Sequence, residues 1–100
     1  MAGFKNESTD KLMKVIAGLS TPEECYAFFE DVCTIKEMQD MSQRLETAEL
    51  LLEGLSYQKI SAQVGASATT ISRVSKCLNY GSGGYRLAIE RINKESKNDN

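Results

Sequence analysis

Apolar positions along this chain recur at helical spacing almost from end to end. Leu12, Val15, Ile16 and Leu19 fall at i, i+3, i+4 and i+7, one face of a first short helix. Thr21-Pro22-Glu23-Glu24 reads as the start of a second. Thr21 can cap it, Pro22 suits the first helical position, and Glu24 can complete a capping box. Behind that start, Cys25, Phe28, Phe29, Val32 and Cys33 form one apolar stripe, which assigns the two cysteines to packing. Thr34-Ile35-Lys36-Glu37 is another Thr-x-x-Glu box and opens the longest helix, running to about Glu53. Its apolar face is Ile35, Met38, Met41, Leu45, Ala48, Leu51 and Leu52, and at this spacing the stripe is assigned to core. Gly54 follows as a stop. No alternating apolar–polar run suggests a strand, so the expected fold class is all-α.

The second half carries a tighter pattern. Ser56 can cap a short helix whose inner face is Ile60 and Val64; Gly65 ends it at a turn that needs a positive φ. Ser67 can cap a further helix whose inner face is Ile71, Val74 and Leu78. Two short helices joined by a glycine turn make a helix-turn-helix, placed at about residues 57–76. The small Ser61 is expected where the two helices cross. Gly81-Ser82-Gly83-Gly84 is a loop. Tyr85, Ala88, Ile89 and Ile92 mark a last helix, and the polar stretch from Lys94 to Asn100 is expected to fray.

The outer face of the helix after Gly65 holds Ala68, Thr69, Ser72, Arg73 and Lys76, small, hydroxylated or basic, without an acid. Small and hydroxyl side chains near a helix start can approach base edges, thymine methyls included, and an arginine can read guanine through two hydrogen bonds. Free N–H groups and the Thr69 and Thr70 hydroxyls can meet phosphate. The candidate DNA-contacting set is Gln58, Lys59, Ser67, Ala68, Thr69, Thr70, Ser72, Arg73 and Lys76.

Net charge changes the picture only when it is divided. The whole chain is −2, but residues 1–53 hold eleven acids against five bases, and residues 54–100 three acids against seven bases. Between Gly54 and Ile89 no acid occurs, while Lys59, Arg73, Lys76 and Arg86 are basic. That asymmetry fits an anionic partner for the second half, although a patch this small is also compatible with a plain solvated face.

Composition removes other classes. The chain has 100 residues, 41% hydrophobic and 26% charged, which is one ordinary globular domain over residues 1–100. No apolar run approaches the ~20 residues a bilayer span needs, and the start lacks the apolar core of a secretory signal, so a cytoplasmic protein without a membrane partner is expected. The three cysteines, Cys25, Cys33 and Cys77, show no Cys-x-x-Cys spacing, and histidine is absent. Neither a disulfide framework nor a metal site is indicated, and the commonest general base is missing. No nucleotide loop or nucleophile–base constellation replaces it, so the protein is read as no enzyme and as needing no cofactor.

The run from Met41-Ser-Gln-Arg-Leu-Glu-Thr-Ala-Glu-Leu-Leu-Leu-Glu-Gly through Val64-Gly-Ala and Thr70-Ile-Ser-Arg-Val-Ser resembles the core of the tryptophan repressor superfamily, and most of all its YerC/YecD branch. The resemblance covers roughly residues 20–95. It implies six helices per chain interlocked into a homodimer, with helices one to three forming the dimer core and the helix-turn-helix projecting. It also implies a corepressor site, since tryptophan repressors hold their ligand between two arginines at the positions of Arg44 and Arg73. Those repressors carry a glycine where Val74 stands and a serine where Cys77 stands, so Val74 is expected to fill space that a ligand would need. The leading expectation is a sequence-specific regulator that binds double-stranded DNA as a homodimer without tryptophan. Two alternatives stay open: a repressor dependent on tryptophan or another small molecule, and a helical interaction dimer that no longer binds DNA.

Overall fold

The computed structural model describes residues 3–98. Six helices follow one another: α1 Glu7–Ala17, α2 Pro22–Val32, α3 Ile35–Leu52, α4 Tyr57–Val64, α5 Ala68–Tyr80 and α6 Gly84–Asn98. No strand occurs among the described residues, so the fold is all-α.

Most starts are where local chemistry puts them. The Thr34 hydroxyl accepts from the Glu37 N–H at 3.1 Å, and the Thr34 N–H donates to the Glu37 carboxylate at 2.8 Å, a complete capping box. The start of α2 departs from that plan by one residue. Thr21 accepts from the Glu24 N–H, but the Glu24 carboxylate accepts from the N–H of Ser20 instead of Thr21. α1 begins earlier than its apolar stripe suggests. Asn6 and Thr9 cap each other there, each side chain accepting from the other's N–H at 2.8 and 2.9 Å. The first turn, Glu7-Ser8-Thr9-Asp10, is wholly polar, so hydrophobic periodicity carries no sign of it. At the other end, α6 runs through Asn98; of the stretch from Lys94 to Asn100 expected to fray, Asp99 and Asn100 lie outside the described residues.

The chain forms two compact units, Met1–Gln39 and Asp40–Asn100. In the first, α1 and α2 bury no residue fully. Ile16, Leu19, Phe28, Phe29 and the two cysteines of that segment are half-buried, with Phe28 and Phe29 edge to face at 5.3 Å. The expectation that Cys25 and Cys33 lie in a core is therefore met only in part, and the third cysteine, Cys77, is exposed.

The second unit contains the buried core, in two clusters. Ile60, Ala66 and Ile71 are packed with Leu50, Leu51, Leu55 and Val64, which ties α4 and α5 to the end of α3. Ala48, Val74 and Ile89 are packed with Leu51, Leu78 and Tyr85, which ties α5 to α3 and α6. Leu51 touches both clusters, so α5 is seated along its inner face against three other helices. Thr47 is the buried polar residue here, and its hydroxyl donates to the Gln43 carbonyl at 2.7 Å. Of the apolar face expected for α3, Ala48 is buried and Met38 and Leu51 are half-buried. Ile35, Met41, Leu45 and Leu52 remain exposed in the single chain.

Candidate nucleic-acid interface

α4 and α5 are each started by a serine. Ser56 accepts from the Lys59 N–H and Ser67 from the Thr70 N–H, at 3.2 and 3.1 Å. Between the helices Gly65 sits at φ 73°, ψ 14°, and its N–H donates to the Ser61 carbonyl at 2.9 Å. A side chain in that left-handed region would be strained, which is why glycine ends α4. The next residue, Ala66, drops into the core at 1% exposure, beside Ile60 and Ile71. Ala66 is thus the small residue buried at the turn. Ser61, expected at the crossing, is exposed. Its carbonyl shapes the turn while its side chain faces out.

Gln43 adds a bond that periodicity does not foretell. Its Nε2 donates to the Val64 carbonyl at 3.2 Å, holding the last residue of α4 against α3 just ahead of the turn. At the far end of α5, the Gly81 N–H donates to the Cys77 carbonyl at 2.9 Å, and Arg86 Nε donates to the Leu78 carbonyl at 3.2 Å.

The nine residues assigned to DNA from sequence do not behave alike. Gln58, Lys59, Ser67, Ala68, Thr69, Ser72, Arg73 and Lys76 are exposed. Ala68, Thr69, Ser72, Arg73 and Lys76 together line one shallow open concavity along α5. Thr70 differs in setting: it is half-buried, and its hydroxyl accepts from Ser67 Oγ at 3.1 Å, which ties it to the cap of α5. Ser67 in turn both caps α5 and lies at the exposed start of that helix.

The four positions implied for a corepressor also separate. Arg44 on α3, and Arg73 and Cys77 on α5, are exposed, whereas Val74 is 1% exposed inside the cluster with Ala48 and Ile89. The concavity on α5 includes Arg73 but neither Arg44 nor Val74 among its lining residues.

A glycine-hinged pair of short helices, the second packed inward on aliphatic residues and showing a basic, acid-free outer face, defines an all-α helix-turn-helix protein. Its ancestry is equally plain: the chain belongs to the Trp repressor family, whose model, described as Trp repressor protein, matches residues 7–93. It is 47% identical over 96 residues to the uncharacterized protein YerC of Bacillus subtilis (strain 168), covering 96% of this chain and 91% of that one. Among solved structures, a TrpR-like protein from Eubacterium eligens ATCC 27750 superposes with a TM-score of 0.88 at 43% identity, covering 93% of this chain and 96% of the other. A Trp repressor candidate from Staphylococcus aureus gives 0.87 at 40% identity, covering 91% of each chain. The family takes its name from a repressor, a regulatory protein and not an enzyme.

Proposed function

We propose that this protein is a sequence-specific transcriptional regulator that binds double-stranded DNA as a homodimer, with α5 in the major groove and no tryptophan required. The observation that carries the reading is the outer face of α5, where Ala68, Thr69, Ser72, Arg73 and Lys76 are exposed together and free of acids on a helix fixed by two packed clusters. Base reading needs side chains held in register with the groove, and a rigidly seated helix supplies that. Thr69 and Arg73 are the base-reading residues; Lys59 and Lys76 meet phosphate. Gln58, Ser67, Ala68 and Ser72 complete the contact surface, Ser67 and Ala68 beside the free N–H groups at the start of α5.

Exposed apolar side chains favour the dimer. Ile35 is 78% exposed, Tyr26 68%, and Leu12, Met13, Val15, Val32, Met41 and Leu45 are also open to solvent in the single chain. A monomer would leave this much apolar surface in water at a cost of about 25 cal/mol per Å².

Val74 supports ligand independence: it is packed against Ala48 and Ile89, and a molecule bound beside α5 at that position would need the space its side chain takes. Together with a chain in which no described helix is long and apolar enough to cross a membrane, the reading is of a cytoplasmic regulator. Selection of genomic DNA by the purified protein at a fixed salt concentration, without added tryptophan, tests this directly. Recovery of a recurrent sequence supports it; uniform weak binding, or none, removes sequence-specific regulation in favour of an interaction dimer.

A further inference from the structure

We propose that Arg86 is a positioning residue for DNA recognition: from α6 it caps the C-terminal end of the recognition helix α5, and it is not one of the phosphate contacts. This deepens the reading of α5 as the DNA-reading helix. By charge alone Arg86 belongs with Lys59, Arg73 and Lys76, the four bases of the acid-free stretch from Gly54 to Ile89. Its geometry separates it from them.

The last carbonyls of any α-helix lack an intrahelical partner, and the negative end of the helix dipole gathers there. Many helices meet this with a lysine or arginine in their own last turn. α5 has no basic residue in its last turn. The Cys77 carbonyl is taken by the Gly81 N–H, and the Leu78 carbonyl is taken by Arg86 Nε at 3.2 Å, eight residues on. A cation from the following helix thus does the work of a local C-terminal base, through a charge-assisted hydrogen bond.

The chain between the two helices is shaped so that the arginine can return. A Cβ on Gly81 would lie 2.5 Å from the Cys77 carbonyl oxygen, so only glycine lets the chain fold back this closely on the end of α5. Tyr85, next to Arg86, packs on the Ala48–Val74–Ile89 cluster and fixes the first turn of α6 against the inner face of α5. The guanidinium is consequently delivered to one carbonyl by a packed neighbour. The outer face of α5, with Arg73 and Lys76, stops two residues short of Leu78, whose own side chain packs inward on the Ala48–Val74–Ile89 cluster.

The test separates a cap from a phosphate contact. Two quantities are measured on the full-length protein for Arg86→Gln, Arg86→Lys and Lys76→Gln. One is the amide hydrogen exchange of residues 79–81 in the free protein. The other is affinity for a selected DNA site across a series of salt concentrations. For Arg86→Gln the amides at the end of α5 should exchange about two- to fivefold faster, and DNA affinity should fall by a similar factor at every salt concentration with the salt slope unchanged. Arg86→Lys should recover part of both losses, because an ammonium still complements the helix end. Lys76→Gln should do the opposite, lowering the slope by about one while leaving exchange as it was. A slope reduced by about one in Arg86→Gln would make Arg86 a phosphate contact and overturn the proposal. Unchanged exchange at residues 79–81 would overturn it as well. The exchange measurement needs no DNA, so a protein that binds no DNA at all refutes the function proposed above without deciding the cap.

Discussion

Thr69 and Arg73 should register truncation differently from the residues beneath them. Both are exposed on α5, and neither belongs to a core cluster. Thr69→Ala and Arg73→Ala should each weaken binding to the selected site by about 1–3 kcal/mol and leave the thermal midpoint where it was. Titration of labelled site against each variant, with a melting curve alongside, checks both halves. Val74 is the contrasting position. Its burial between Ala48 and Ile89 makes Val74→Gly a cavity-forming change, expected to cost about 1.5–3 kcal/mol of stability from lost burial, with some further penalty for a glycine inside a helix. The same change, joined to Cys77→Ser, tests the corepressor geometry that the family resemblance implies. Calorimetry should show no tryptophan binding by the unaltered protein, and measurable binding by the double variant if Arg44 and Arg73 face a shared space. Micromolar binding by the unaltered protein would end the ligand-independent reading. No binding by the double variant would return Arg44 to a role outside any pocket.

Helix starts and stops are where sequence was most informative, because capping is a local bargain between neighbours. Thr34 with Glu37, Ser56, Ser67 and Gly65 all act as their residue types dictate. Removing one should have a definite effect. Ser67→Ala strips the cap from the recognition helix and leaves the Thr70 N–H and hydroxyl without their partner, which should cost about 1 kcal/mol of stability, readable as a shift in the denaturant midpoint. What sequence could not settle was which of two chemically suitable residues a fold would use. Thr70 looks as available as Thr69, but it is half-buried and its hydroxyl is joined to the Ser67 cap. Ser61 looks as fit for a helix crossing as Ala66, but the left-handed turn at Gly65 sends Ala66 inward and leaves Ser61 out. Arg86 and Gln43 were illegible for a different reason. Each bonds a backbone carbonyl on another helix, and no local pattern marks a carbonyl as short of a partner. The start of α1 was missed because its cap is Asn6–Thr9 and its first turn has no apolar residue to give a period.

For the whole molecule the expectation is obligate association. Sedimentation at micromolar concentration should show a dimer, and a stable folded monomer there would rule out the assembly. Ile35→Asp gives a sharper reading. Ile35 is 78% exposed in the single chain and is the first residue of α3, where an acid favours the helix start. For a chain acting alone the change should be neutral or mildly stabilising. If the apolar faces of α1–α3 meet a second copy, it should instead shift the dimer toward monomer, and thermal stability should become more dependent on concentration. Equal sedimentation and equal melting of the variant at all concentrations would place Ile35 outside any interface.

The absence of fully buried residues from α1 and α2 bears on how this protein comes apart. Opening free energy is not uniform in a folded chain; it follows how much packing each segment would lose. Helices as short as 11 residues hold little structure by themselves. The residues of α4, α5 and α6 have Ile60, Ala66, Ile71, Val74 and Ile89 to hold them within one chain. If α1 and α2 get their missing burial from a second copy, their protection against exchange depends on how many copies are present. Native-state exchange should then sort the amides into two tiers. Those of α5 would be indifferent to dilution, and those of α1 and α2 would lose protection as the protein is thinned out. Dilution alone would thus unfold the amino-terminal helices and leave the recognition helix formed.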